Sequence, residues 1–163
     1  MKKLILVCGP AAIGKSTWSK KYENSHPGEK VTVIAADEVR KDLCGGYDKF
    51  PKDHNMMIIY DEMIKRADDL CTKSEDPVTV IFDTTMLYDE RRLYFRRNLP
   101  NFDSYELVLL KLHDYHECLK RNKQRAPEKW VPENVILDMA SHYLDPAPEC
   151  KLQFNKVEEI YVD

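Results

Sequence analysis

The chain has 163 residues, 43% of them hydrophobic, with only 5 Gly and 9 Pro. At roughly 100–200 residues per domain this is one domain with enough core to fold unaided, and neither a disordered nor a fibrous chain. Charged residues reach 33%, yet 25 Lys+Arg against 28 Asp+Glu leave a net of −3. That excludes a broadly basic coat for nucleic acid, so any phosphate must be met by a local concentration of positive charge. Cys8, Cys44, Cys71, Cys118 and Cys150 are odd in number with no C-x-x-C pair, which favours reduced thiols in a cytoplasmic protein over disulfides or a zinc site. No apolar run approaches 18 residues, and the run after Met1-Lys2-Lys3 is cut by Gly9-Pro10 too early for a signal peptide or a membrane span.

Leu4 to Cys8 is an unbroken apolar run, the pattern of a strand buried on both faces of a parallel sheet. Directly after it stands Gly9-Pro10-Ala11-Ala12-Ile13-Gly14-Lys15-Ser16-Thr17, a full match to G-x-x-x-x-G-K-[ST]. The glycines let the backbone turn so that N–H groups from Gly9 and from Ala11 through Thr17 surround nucleotide phosphates. Lys15 brings a positive charge to the β/γ-phosphates, and the Ser16 hydroxyl is the expected Mg²⁺ ligand. Thr17 and Trp18 run into a helix whose N-terminal dipole also favours the anion. A strand before the loop and a helix after it are what this motif requires, so the chain is expected to bind ATP with Mg²⁺.

A second strand is expected over Val31–Ala35, followed by Asp37-Glu38-Val39-Arg40. Strand-end loops of an open α/β sheet point into the ligand crevice. If a helix begins at Asp37, Arg40 lies one turn on along the same side. Asp37 then suits an acceptor hydroxyl and Arg40 a neighbouring anion, although Asp37 could simply cap the helix and Glu38 could be the base instead. Met56, Tyr60, Met63, Ala67 and Leu70 repeat at helical spacing. The third strand, Val78–Phe82, ends at Asp83, where P-loop enzymes keep a carboxylate that holds a Mg²⁺-bound water or orients an arginine. Arg91, Arg92, Arg96 and Arg97 follow, as a phosphate-tracking face or as a salt-bridged exterior helix.

The fourth strand is expected at Leu107–Leu110. Asp114 with Glu117 forms a capping-box pattern for a helix to about Asn122. His113 and His116 are read as part of a satisfied turn. Arg121 and Arg125 are four apart in a run of charge, hence on one helix face. They could close over a triphosphate from a lid at about 114–131, or form a solvated basic surface. Pro132 opens another helix with Val135, Ile136, Met139, Ala140 and Tyr143 as its apolar side, and a weaker last strand lies near Val157–Val162. Strands alternating with helices imply a three-layer α/β domain with helices on both faces of a parallel sheet.

A GTPase would need Asn-Lys-x-Asp after a later strand, and Asn122-Lys123-Gln124-Arg125 has Arg where the carboxylate belongs. A motor ATPase would need Glu after Asp83, where Thr84 stands. A small kinase with a hydroxyl acceptor remains, beside a P-loop regulatory protein with little turnover.

The blocks Gly9 to Trp18, Asp37-x-x-Arg40, Phe82-Asp83-Thr84 with Glu90-Arg91-Arg92, and Lys120-Arg121-Asn122-x-x-Arg125 together resemble the phage-type polynucleotide 5′-hydroxyl kinases over about residues 3–143. The resemblance implies a nucleotide kinase-like sheet of order 2-3-1-4-5, with Lys15 and Ser16 holding ATP and Mg²⁺. It implies that Asp37 is the general base, that Arg40 binds the acceptor's neighbouring phosphate, and that Arg121 and Arg125 act over the ATP phosphates. The Asp-x-Asp-x-Thr signature of the 3′-phosphatase domain often joined to such kinases is absent. Zeta-toxin-like kinases and small-metabolite kinases share the P-loop and a base after the second strand, so a sugar, nucleotide-sugar or antibiotic hydroxyl is the rival acceptor.

Overall fold

The computed structural model describes residues 1–163. Five parallel strands, β1 Lys3–Cys8, β2 Lys30–Ala35, β3 Val78–Asp83, β4 Ser104–Lys111 and β5 Lys156–Tyr161, form one sheet in the order β2-β3-β1-β4-β5. Seven helices connect them: α1 Lys15–Ser25, α2 Ala36–Cys44, α3 Met57–Lys73, α4 Asp89–Arg97, α5 Glu117–Lys123, α6 Glu133–Ser141 and α7 Pro148–Lys151. No helix is long and apolar enough to cross a membrane.

The alternation within β1 explains the three layers. Leu4, Leu6 and Cys8 point to a larger core with Phe82, Ile59, Met63 and Phe95 under α2, α3 and α4. Ile5 and Val7 point to a smaller core with Ile81, Val108, Leu110, Cys118 and Ile136, against which Trp18 and Tyr22 of α1 pack. Side chains alternate across a strand, so a central strand covered on both sides must be apolar at every position. At the edge the pattern weakens: Val157 packs on the larger core, while Ile160 and Val162 pack on the smaller.

The strand order 2-3-1-4-5 and the helices on both faces agree with expectation. Several local expectations are corrected. The capping box at Asp114 does not form: its Oδ1 accepts the His116 N–H at 3.0 Å, and α5 starts at Glu117 without a side-chain cap. Arg121 and Arg125 do not share a helix face, because α5 ends at Lys123 and Arg125 lies in the turn beyond. Val135 is exposed on α6, so Ile136 alone is fully buried there. The arginines of α4 part company: Arg92 is fully buried, Arg96 lies over the Tyr105 ring at 3.5 Å, and Arg97 is exposed.

Register brings the site together. Asp83 is the partner of Val7 on β1 and of Ala35 on β2. The loops leaving these three strands therefore start side by side at one edge, where open parallel sheets hold their ligands.

Candidate active site at the carboxyl edge of the sheet

The loop after β1 turns sharply into α1. Gly9 (φ 152°), Ala12 (φ 66°) and Gly14 (φ 117°) all have positive φ, which glycine adopts freely and alanine at a cost of about 1–2 kcal/mol. A Cβ on Gly9 would lie 2.7 Å from Ile13 Cγ2, so this position needs glycine for space as well as for φ. Ile13 is itself fully buried and pins the loop to the smaller core. Gly14 caps α1 with no side-chain cap bond, so the first-turn N–H groups are the donors that a phosphate takes at a helix start.

Lys15 is buried, and its Nζ donates to Gly9 O at 2.9 Å and Pro10 O at 3.0 Å. Burial pulls its ammonium below the usual lysine value, Asp83 partly restores it, and nearby Arg125 lowers it further. A phosphate group would supply the anion that this buried cation lacks. Ser16 Oγ donates to Asp83 Oδ2 at 2.7 Å. A hydroxyl and a carboxylate side by side are the hard oxygen donors that Mg²⁺ and its water shell accept, so the residues present fit a metal-bound triphosphate. This contact sets Asp83 on the Ser16 side of the site.

On the neighbouring strand end, α2 begins at Ala36 with Ala35 as its cap residue and no side-chain cap bond. Asp37 therefore stands in the first turn with its carboxylate uncommitted to capping. Its Oδ2 lies 3.7 Å from Arg125 Nη2, and both side chains are about 30% exposed. Glu38 is held differently: Tyr47 Oη donates to its Oε1 at 2.6 Å and Lys129 Nζ lies 3.3 Å away. The Tyr47 hydrogen bond, aided by Lys129, holds Glu38 below the usual carboxylate value in spite of partial burial. Arg40 follows one turn on, with Nη2 donating to Tyr47 O at 2.7 Å and its guanidinium 4.7 Å from the Phe50 ring centre.

The two arginines beyond β4 divide between backbone and cleft. Arg121 donates to Ile13 O at 2.7 Å and to Val162 O at 2.6 Å, which ties α5 to the phosphate loop and to the end of β5. Arg125 instead reaches Asp37 across the cleft. Asn122 is buried and bonds both N–H and C=O of Val131, at 3.1 and 2.9 Å. Residues 122–131 thus form a closed loop anchored at its base, carrying Arg125 and Lys129 over the acceptor side. The roles of Tyr47, Phe50 and Lys129 carry no sequence signal, because their partners lie far along the chain.

His113 and His116 are taken by carboxylates: His113 Nδ1 lies 2.7 Å from Asp163 Oδ2, and His116 Nδ1 lies 2.8 Å from Asp114 Oδ1.

The AAA domain family matches residues 4–146. No curated protein matches the chain in sequence. Among solved structures, a gluconokinase from Sinorhizobium meliloti 1021 superposes with a TM-score of 0.64 at 17% identity, over 98% of this chain and 82% of that one. Kti12 from Chaetomium thermophilum, in complex with ADP-AlF3, superposes with a TM-score of 0.67 at 13% identity, over 98% and 89%. A fungal RNA kinase gives 0.63 at 17%, over 99% and 74%. At these identities the likeness concerns the fold.

Proposed function

The chain belongs to an AAA-domain family of P-loop kinases, and we propose that it transfers the γ-phosphoryl group of ATP to the 5′-hydroxyl of a polynucleotide. One observation carries the choice of acceptor. Arg40, a turn beyond the candidate base Asp37, has its Nε buried without any hydrogen-bond partner and its guanidinium 4.7 Å from the centre of the half-exposed Phe50 ring. An arginine held this way suits a phosphate beside the reacting hydroxyl, with the ring offering a face to a base. A neutral sugar supplies neither group. The fold is shared by a fungal RNA kinase and a gluconokinase alike, so the choice of acceptor rests on Arg40.

Bound ATP with Mg²⁺ supplies the phosphoryl group and the metal charge that offsets its oxygens. The chain's own groups do the rest. The loop N–H groups, Lys15 and Ser16 orient the triphosphate, while Arg40 fixes the strand end so that its hydroxyl meets Asp37. Asp37 takes the hydroxyl proton as the new O–P bond forms and the bond to the leaving diphosphate oxygen breaks. Glu38 does not compete, since Tyr47 and Lys129 already occupy its carboxylate. Arg125 lies 3.7 Å from Asp37, and a cation there stabilises the equatorial oxygens in flight. Arg121 acts indirectly in this reading, by bracing the loop through Ile13 O.

The test is an acceptor panel with γ-labelled ATP and Mg²⁺: a 5′-hydroxyl oligonucleotide, gluconate, hexoses and an aminoglycoside. Transfer to the oligonucleotide alone, weakening steeply with added salt, supports the proposal. Transfer to a small hydroxyl compound in preference overturns it in favour of a metabolite kinase, and ATP binding without transfer to any acceptor favours a regulatory P-loop protein.

A further inference from the structure

Most arginines whose guanidinium is enclosed by this fold have a carboxylate within reach. Arg66 has Asp42 and Glu62, Arg92 has Asp89, Arg121 has Glu117, and Arg125 has Asp37. Arg40, Arg91 and Arg96 are partly buried exceptions, and Arg96 is satisfied by Gln153 O. Arg40 leaves its Nε without a partner. Arg91, in the first turn of α4, lies over the Tyr60 ring at 4.4 Å, and the one group its Nη1 meets is Met57 Sδ at 2.9 Å. A thioether is a weak acceptor, so most of the five donors of Arg91 are unspent.

Arg91 lies on the Tyr60 ring of α3, and α2, which carries Arg40, packs against that same helix. Burial raises the Tyr60 hydroxyl, Arg91 and Arg40 both draw it back, and Tyr88 pushes it up. Arg40 on α2 and Arg91 on α4 are thus two cations without a carboxylate partner, carried by helices that both meet α3, in a protein of net charge −3. Cations left without a carboxylate favour anions, and a strand with phosphates in series supplies one for each. Tyr88, 40% exposed at the start of α4, offers an adjacent ring face. The other arginines of α4 are occupied elsewhere: Arg92 is buried on backbone carbonyls, and Arg96 bonds Gln153 O at 2.7 Å.

We infer that Arg91, braced on Tyr60, forms a second phosphate subsite beyond Arg40 and takes the next phosphodiester of the acceptor strand, with Tyr88 stacking on its base. The inference rests on the polynucleotide reading above and deepens it: the site grips two successive phosphates of a strand end, rather than a single nucleotide. A guanidinium fork matches phosphate oxygens, and a stacking ring beside it is tolerant of base identity.

The test compares two 5′-hydroxyl acceptors, a nucleoside 3′-monophosphate with one phosphate and a dinucleotide 3′-phosphate with two. The expected result is a kcat/KM about tenfold higher for the dinucleotide, carried by KM. R91Q loses most of that gain, R91K recovers part of it, and R97Q, on the exposed side of the same helix, keeps it. With longer oligonucleotides R91Q lowers the slope of log affinity against log salt by about one phosphate contact. Equal kcat/KM for the two acceptors in the wild type, or an equal loss on both in R91Q, overturns the second subsite while leaving the polynucleotide reading standing. Transfer to neither acceptor overturns that reading and the subsite with it.

Discussion

Replacing Arg92 by Met measures how much one buried guanidinium contributes to the acceptor side of the sheet edge. Arg92 is fully buried. Its Nε donates to Met86 O at 3.0 Å, its Nη1 to Asp89 Oδ1 at 3.1 Å, and its Nη2 to Leu144 O at 2.6 Å. Three segments meet there: the β3–α4 loop, where Met86 holds a positive φ of 41°, the start of α4, and the stretch after α6. Met refills the stem volume, so little cavity forms. The loss is polar. Two carbonyls are left without this donor at about 1–3 kcal/mol each, and Asp89 loses a cation while keeping the Ala147 N–H at 3.0 Å. Asp89 is itself 29% exposed, so the loss falls at about 3 kcal/mol, the low end for breaking one side of a buried pair, or about 10 °C in Tm for a domain of this size. Thermal and urea unfolding of R92M against wild type, with the urea m-value unchanged, is the assay.

The same comparison has a pH signature. Burial works to raise Asp89, but the Ala147 N–H, Cys150 and Arg92 together hold it below the usual carboxylate value. A depressed folded-state pKa stabilises the protein above the unfolded carboxylate value, and that stability disappears as pH falls through the folded one. The wild-type margin over R92M therefore narrows on acidification. A Tm difference below 3 °C at neutral pH, or a margin that widens in acid, refutes the reasoning.

In the catalytic apparatus, K15A abolishes transfer and D37N lowers kcat about 10²–10⁴-fold while ATP affinity, measured by titration calorimetry, stays near wild type. Full activity in D37N moves the base to Glu38. R125A slows single-turnover transfer by about 10³-fold or more, the scale of a cation removed from a moving phosphoryl group; a change under tenfold returns Arg125 to a surface role. S16A raises the Mg²⁺ concentration needed for half-maximal rate, since it deletes the hydroxyl paired with Asp83. Y47F removes the main cause of the depressed Glu38 value, so Glu38 followed by NMR titrates at higher pH in the variant than in the wild type.

What was legible in the sequence was local or periodic. The apolar runs place all five strands to within a few residues, and the spacing from Gly9 to Ser16 identifies the phosphate loop because each residue type is demanded by backbone shape or charge. Asp37 and Arg40 were visible as one turn of a helix after a strand. What was not legible depends on meetings between distant segments. Arg91 reads like any surface arginine until α3 places Tyr60 and Met57 beneath it. Arg92 beside it reads the same way but is buried by Met86 and Leu144. The Asp114 box fails for a smaller reason: the carboxylate accepts the His116 N–H two residues on, ahead of the start of α5 at Glu117. Arg121 and Arg125 looked equivalent by spacing, and the early end of α5 separates a loop brace from a cleft cation.

The central claim is that this site phosphorylates a strand end, and mapping the label tests it most directly. A 5′-hydroxyl oligonucleotide is incubated with the protein, Mg²⁺ and γ-labelled ATP, then digested to mononucleotides. The account predicts label solely on the 5′-phosphate of the first nucleotide, with none in D37N at matched times. Absence of label from the strand, while gluconate or another small hydroxyl compound is phosphorylated under the same conditions, contradicts it.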